Sequence, residues 1–203
     1  DFCYTISMPH LTDKNRTTLE KKANEIRQDI IRMLVEAGSG HSAGPLGMAD
    51  IFTALYFHVL NRDDRVFLSN GHICPVWYAT LAHAGYLPRA EMLGTLRKLG
   101  SRLQGHPHRG SLAPILNPSG PLGQGISQAV GCALAAQMDG KKFEVFCLSS
   151  DGEQDEGQTW EAYLFAAKYK LHNITVIIDR NNIQIDGNTE DIMPLEPFAD
   201  KLR

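Results

Sequence analysis

Asp151-Gly152 and Asn181-Asn182 lie thirty residues apart, each just after an apolar run, a spacing that fits the two halves of a magnesium-diphosphate site. A hard divalent cation takes oxygen ligands in near-octahedral geometry and keeps phosphate oxygens in its shell. The Asp151 carboxylate and an asparagine side-chain oxygen are ligands of that kind. Val145-Phe146-Cys147-Leu148 reads as a strand leading to Asp151, and Ile174 to Ile178 as one leading to Asn181. Adjacent carboxyl ends of strands are where open α/β sheets bind ligands. The plainer alternative for Asp151 is a cap on the following helix. Gly152, which permits close backbone approach, and the asparagine pair together favour the site.

Gly120-Pro121-Leu122-Gly123-Gln124-Gly125 places glycines ahead of a helix, so backbone amides and the helix N-terminus can face an anion. By itself it is equally a tight turn with close helix packing. It matches neither the P-loop, which closes on lysine and a hydroxyl residue, nor the dinucleotide fingerprint, so ATP and nicotinamide lose support. Histidines sit among small residues in Gly40-His41-Ser42-Ala43-Gly44-Pro45, Ser69-Asn70-Gly71-His72 and Gly105-His106-Pro107-His108. Neutral imidazole donates and accepts hydrogen bonds and trades protons near neutral pH, which suits polyhydroxylated substrates. One such histidine is more simply a turn or core residue, but three are harder to dismiss, and no pair has the helical spacing of zinc ligands. Glu153, Asp155, Glu156 and Glu161 follow the proposed metal site, and Glu153 and Asp155 read as solvated or helix-capping.

Residues 17–37 repeat Leu19, Ala23, Ile26, Ile30, Leu34 and Ala37 at a helical period, with Thr17 and Glu20 as a capping box and Gly38-Ser39-Gly40 as the stop. Further helices are expected over 48–60, 76–84 and 89–99, a short strand over 66–69, and a functional Gly/Pro/His-rich loop over 100–120. Strand 145–149, helix 158–170 and strand 174–179 then alternate, which predicts a parallel β-sheet flanked by helices on both faces with right-handed crossovers. At 203 residues and 43% hydrophobic content the chain suits a single packed domain. Its last residues resemble the start of a helix, so truncation at the C-terminus is expected. A net charge of −3 gives no footprint for nucleic acid or an anionic membrane. No apolar run reaches a membrane span, and Asp1-Phe2-Cys3-Tyr4 lacks a leader pattern, so a cytoplasmic protein is expected. Cys3, Cys74, Cys132 and Cys147 show no paired spacing for zinc or a disulfide framework.

Taken together, Gly40 to Ala49, Leu68-Ser69-Asn70-Gly71-His72, Gly105-His106-Pro107, Gly120 to Gly125 and the Asp-Gly to Asn-Asn module resemble transketolase over almost the whole chain. The likeness is to the N-terminal PP domain, which grips the diphosphate of thiamine diphosphate, and especially to the N-terminal subunit of split transketolases. It implies Mg²⁺, or Ca²⁺ or Mn²⁺ in its place, held by Asp151, Asn181 and the carbonyl of Ile183. It implies diphosphate contacts from Gly152 and Asn181, and a loop of Gly120, Pro121 and Leu122 running past the cofactor. His72 matches a position beside the thiazolium ring, and His41 and His106 match residues that hold substrate hydroxyls and help move protons. Glu156 and Glu161 match glutamates at the subunit interface. The implied activity is transfer of a two-carbon ketol unit from a ketose phosphate to an aldose phosphate in the pentose phosphate pathway. The implied partner is a C-terminal subunit carrying the pyrimidine-binding domain, in an α2β2 assembly.

The sequence departs from the family where Ser150 replaces the usual glycine before the metal aspartate, where 60–65 is short, and where it stops before another expected histidine. Other readings are a related deoxyxylulose phosphate synthase, a decarboxylase alpha subunit, or a truncated, non-catalytic cofactor-binding or assembly subunit. The contexts of His41 and His106 favour transketolase over the two enzymes. Asp151→Ala is expected to abolish metal-dependent cofactor affinity with the fold intact.

Overall fold

The computed structural model describes residues 10–185 and 187–203, so the start at Asp1-Phe2-Cys3-Tyr4 lies outside the described residues. The chain divides into two compact units, one from Asp1–Arg62 with Gly71–Pro118 and one from Asp63–Asn70 with Ser119–Arg203.

In the first unit, α1 (Asp13–Ala37) begins earlier than its apolar period predicts. Thr12 is the N-cap, accepting from Asn15 N at 3.2 Å, while Thr17 donates to Asp13 O within the helix, so the capping box at Thr17 and Glu20 does not form. Gly38 ends α1 at φ +65°, its amide satisfying the carbonyls of Leu34 and Val35. After α2 (Ala43–Gly47), the helix expected over 48–60 is α3 (Ala49–Ala54) followed by a π-helical turn, Leu55–Val59. The buried stripe Ala23, Ile26, Ile30 and Met33 of α1 packs on α3, α4 (Cys74–His83) and α5 (Arg89–Thr95). Asp29 is the charge in that stripe, fully buried but gripped by Arg89 at 2.6 and 2.5 Å, with His83 Nε2 at 3.0 Å. Burial of every residue from Cys74 to Leu81 makes α4 the centre of this unit. α5 stops four residues short of the expected end because Leu96 is extended and Arg97 turns left-handed at φ +61°.

In the second unit, β1 (Arg65–Leu68), β2 (Val145–Ser150) and β3 (Ile174–Asp179) form a parallel sheet in the order β1-β2-β3. β2 is buried along its whole length, as the continuous apolar run of a central parallel strand requires. α6 (Gln124–Met138) packs on the sheet and on α7 (Gly157–Lys168), the helix between β2 and β3. The expected α/β class therefore holds, a parallel sheet flanked by helices. A short antiparallel pair, β4 (Ile183–Gln184) and β5 (Gly187–Asn188), follows with α8 (Thr189–Ile192) and α9 (Phe198–Lys201). The sequence pattern does not anticipate this hairpin. Gly125 lets the first turn of α6 close on the end of β1, since a Cβ there would meet Ser69 Cα at 2.5 Å.

Candidate active site

Sheet register delivers both halves of the acid-amide motif to one end of the second unit. Ser150 pairs with Asp179, so Asp151 and the Arg180-Asn181-Asn182 segment leave the sheet side by side. Asp151 is 1% exposed. Its Oδ2 accepts from Asn182 N at 2.8 Å, Thr189 Oγ1 at 3.0 Å and Arg180 Nη1 at 3.1 Å, while Oδ1 accepts from Gly152 N at 3.0 Å. Arg180 is in turn bound by Glu190 and Glu196. Asn181 is exposed, its Oδ1 accepting from Ile183 N at 2.9 Å and its Nδ2 donating to Asp179 at 3.1 Å. Ile183, 56% exposed, begins β4.

A carboxylate oxygen with one protein donor, an exposed amide oxygen and a backbone carbonyl are hard donors of the kind Mg²⁺ or Ca²⁺ takes. Among the described residues no group of three or more His, Cys, Asp or Glu could hold a metal. A cation at this strand end would therefore rest on Asp151 with neutral oxygens and the oxygens of its own ligand. Gly152 keeps the turn close to Gln184, whose Cγ a Cβ would meet at 3.3 Å.

Glu153 departs from the sequence-based expectation. It is neither solvated nor a helix cap but 0% exposed, and it joins the ends of β1 and β2 to the glycine loop. Oε1 accepts from Ser69 Oγ at 2.6 Å and Gly123 N at 2.8 Å, and Oε2 from Ser149 Oγ at 2.8 Å and Ser150 N at 3.1 Å. Ser69 Oγ passes the connection on by accepting from Gly125 N at 3.2 Å. Burial of two negative oxygens is tolerable here because every partner is a donor. Asp155 is half-buried. Burial raises its pKa against a hydrogen bond from Gln184, with the charges of Asp151, Glu156 and Glu190 raising it further.

The glycine loop lies against the start of α7. Gly123, at φ +76°, would meet Glu156 Cβ and Thr159 Oγ1 at 2.9 Å if it carried a Cβ, and Gln158 Nε2 donates to Leu122 O at 3.0 Å. Gly120 and Leu122 are half-buried and Pro121 is exposed. Glu156, the N-cap residue of α7, and Glu161, in its second turn, are both exposed.

Within the first unit, the histidines noted in the sequence converge. His41 follows Gly40, His72 sits in the 3-10 turn Gly71–Ile73, and His106 comes from the long loop. The His41 ring centroid is 5.2 Å from that of His72 and 6.5 Å from that of His106. Gly44 allows this approach, because a Cβ there would meet Ile73 Cγ2 at 2.7 Å. Burial, then the neighbouring His41 and His106, push His72 down to about 4. Burial, then His41 and Arg97, also lower the pKa of His106. Both are neutral imidazoles at neutral pH, able to accept one hydrogen bond and donate another.

A parallel sheet with flanking helices, and with a glycine loop and a cluster of hard oxygen donors at its carboxyl end, is the architecture of an α/β cofactor-binding domain. Residues 18–200 match the transketolase thiamine diphosphate binding domain, and the chain belongs to that family. It is 41% identical over 194 residues to the 6-deoxy-6-sulfo-D-fructose transketolase subunit SqwG of Clostridium sp. (strain MSTE9), covering 91% of this chain and 70% of the relative. It is 39% identical to an apulose-4-phosphate transketolase subunit of Actinobacillus succinogenes, covering 90% of this chain and 70% of that protein. The solved transketolase from Leishmania mexicana superposes with a TM-score of 0.83 at 35% identity, over 95% of this chain but 31% of that one. The chain thus spans about a third of the solved transketolase and 70% of the transketolase subunits it matches.

Proposed function

We propose that this chain is the N-terminal subunit of a split, thiamine diphosphate-dependent transketolase, a transferase that moves a two-carbon ketol unit from a ketose phosphate to an aldose phosphate. The observation that carries the reading is the buried Asp151 carboxylate, fixed by the amide of Asn182 at the point where β2 and β3 end together. Asp151, Asn181 and the Ile183 carbonyl would hold Mg²⁺ or a similar cation. Gly152 and Asn181 would bind the diphosphate, and the segment Gly120-Pro121-Leu122 would line its path. Thiamine diphosphate, when bound, supplies the carbanion stabilisation that no side chain offers.

His41 and His106 would hold substrate hydroxyls and move protons between them. His72, kept neutral at neutral pH, would stand beside the cofactor ring as a hydrogen-bonding group without adding positive charge. Ser150 does not disturb the anchoring of the turn, because its amide is held by Glu153 Oε2. Glu156 and Glu161, exposed at the start of α7, would meet a neighbouring subunit. The partner in this reading is a C-terminal subunit with the pyrimidine-binding domain, in an α2β2 assembly acting on sugar phosphates in the cytoplasm, within pentose phosphate metabolism. Relatives named as transketolase subunits support it.

Calorimetric titration of the purified chain with thiamine diphosphate and Mg²⁺, with and without a C-terminal transketolase subunit, tests the proposal alongside a ketol-transfer assay. Binding and turnover that require the partner are expected. Absence of cofactor binding under both conditions would reject it.

A further inference from the structure

We propose that Arg97 is a positioning residue that holds the His41 and His106 loops in one arrangement. The inference rests on the proton-moving role proposed for those histidines. Arg97 follows α5 at φ +61°, a conformation uncommon for a non-glycine residue and one that persists where the surroundings fix it. Its amide donates to Leu103 O at 2.8 Å, which folds the chain back toward the histidine loop. The guanidinium lies across Gly105, where a Cβ would meet Arg97 Nε at 2.7 Å, Nη2 at 2.8 Å and Cζ at 2.9 Å. Nη1 donates to Ser39 Oγ at 3.3 Å, and a Cβ on Gly40 would lie 4.0 Å from Nε. One side chain thus hydrogen-bonds Ser39, two residues before His41, and lies against Gly105, the residue before His106.

The same loop is held independently through its carbonyls. Cys74 Sγ donates to Gly105 O at 3.2 Å and Tyr78 Oη to Gln104 O at 2.9 Å, both from the buried helix α4. Burial pushes the Cys74 thiol up to about 12, so it stays a protonated donor. With the carbonyl side fixed by α4, the Arg97 guanidinium occupies the space that a Cβ on Gly105 would need. A second consequence follows from charge. Apart from burial, His106 faces His41 and Arg97, so the guanidinium helps keep the imidazole unprotonated and ready to accept a proton.

Arg97→Met removes the guanidinium, and Arg97→Lys keeps a charge while losing the planar fork. A histidine side-chain NMR titration of the full chain needs neither cofactor nor partner. In Arg97→Met the His41 and His106 resonances should move and the His106 midpoint should rise; in Arg97→Lys the midpoint should return toward the parent's while the resonances stay displaced. With a C-terminal subunit present, kcat for ketol transfer should fall roughly tenfold or more in Arg97→Met, given that a 1 Å misplacement can cost about 10²-fold, with thiamine diphosphate affinity unchanged. Unaltered His41 and His106 resonances in both variants would overturn the positioning role even if turnover fell. A parent chain that shows no ketol transfer with its partner would reject the functional reading instead, and the NMR result would still decide what Arg97 does.

Discussion

Replacing Glu153 by glutamine keeps the shape of a fully buried side chain and changes only its hydrogen-bonding logic. Each carboxylate oxygen faces one serine hydroxyl and one backbone amide: Ser69 and Gly123 for Oε1, Ser149 and Ser150 for Oε2. A hydroxyl can rotate to accept from the new amide group, but a backbone N–H cannot. In either orientation of the glutamine, one buried N–H therefore meets another N–H, of Gly123 or of Ser150. An orphaned buried donor costs about 1–3 kcal/mol, and the surviving bonds lose their charge assistance, worth a further ~1 kcal/mol. Relief from burying a charge offsets part of this, leaving a net loss of about 2 kcal/mol. That corresponds to a fall in melting temperature of roughly 4–8 °C for a chain of this size. Urea denaturation of the full chain at neutral pH measures it as a lower midpoint at unchanged slope. Because the freed amide belongs either to the glycine loop or to the turn before Asp151, thiamine diphosphate affinity should fall in the same variant. A midpoint within about 0.5 kcal/mol of the parent, the range of an ordinary surface change, would refute the argument that Glu153 organises this end of the sheet.

Gly125→Ala should be at least as damaging, about 2–3 kcal/mol, because the new methyl meets the Ser69 backbone at 2.5 Å rather than a yielding side chain; a stability indistinguishable from the parent would mean that α6 and β1 separate freely. Asp151→Asn should abolish metal-dependent cofactor binding, by roughly 100-fold or more, the loss typical even of residues behind a ligand, while calorimetry showing parental affinity would remove Asp151 from the metal site. His72 is expected to stay neutral down to about pH 4 when folded, against 6.5 when unfolded. The unfolded chain then binds more protons between those values, so His72's stabilising contribution is complete above 6.5 and is lost as pH falls toward 4. Urea midpoints measured across that window should fall more steeply for the parent than for His72→Asn, and equal slopes would contradict the burial argument.

What could be read in the chain beforehand follows the reach of each signal. β2, α7 and β3 were legible because a run such as Val145 to Leu148 has few alternatives to a buried strand, and Gly152 and Asn181 punctuate the ends. The histidine cluster was legible in kind, since glycine neighbours at positions 40, 71 and 105 leave imidazoles accessible, though only the fold brings His41 within 5.2 Å of His72. The start of α1 was misplaced because Thr17 and Glu20 have capping-box spacing, while Thr12 captures the Asn15 amide one turn earlier. Asp151→Ala no longer isolates the metal contribution, because it would also strip an acceptor from Asn182, Thr189 and Arg180. Glu153 was missed because an acidic run is locally ambiguous: nothing in Glu153-Gln154-Asp155-Glu156 says which carboxylate turns inward. The available signal lay elsewhere, in Ser69, Ser149 and Ser150 at the ends of two apolar strands. Buried hydroxyls and amides gathered there need a common acceptor, and the acid two residues past Asp151 is the one the 3-10 turn Gly152–Asp155 swings beneath them. The glycine loop and the strand end before Asp151 are thus held by one carboxylate, and because its donors Ser69 and Gly123 lie far from it in sequence, that dependence becomes visible only in three dimensions.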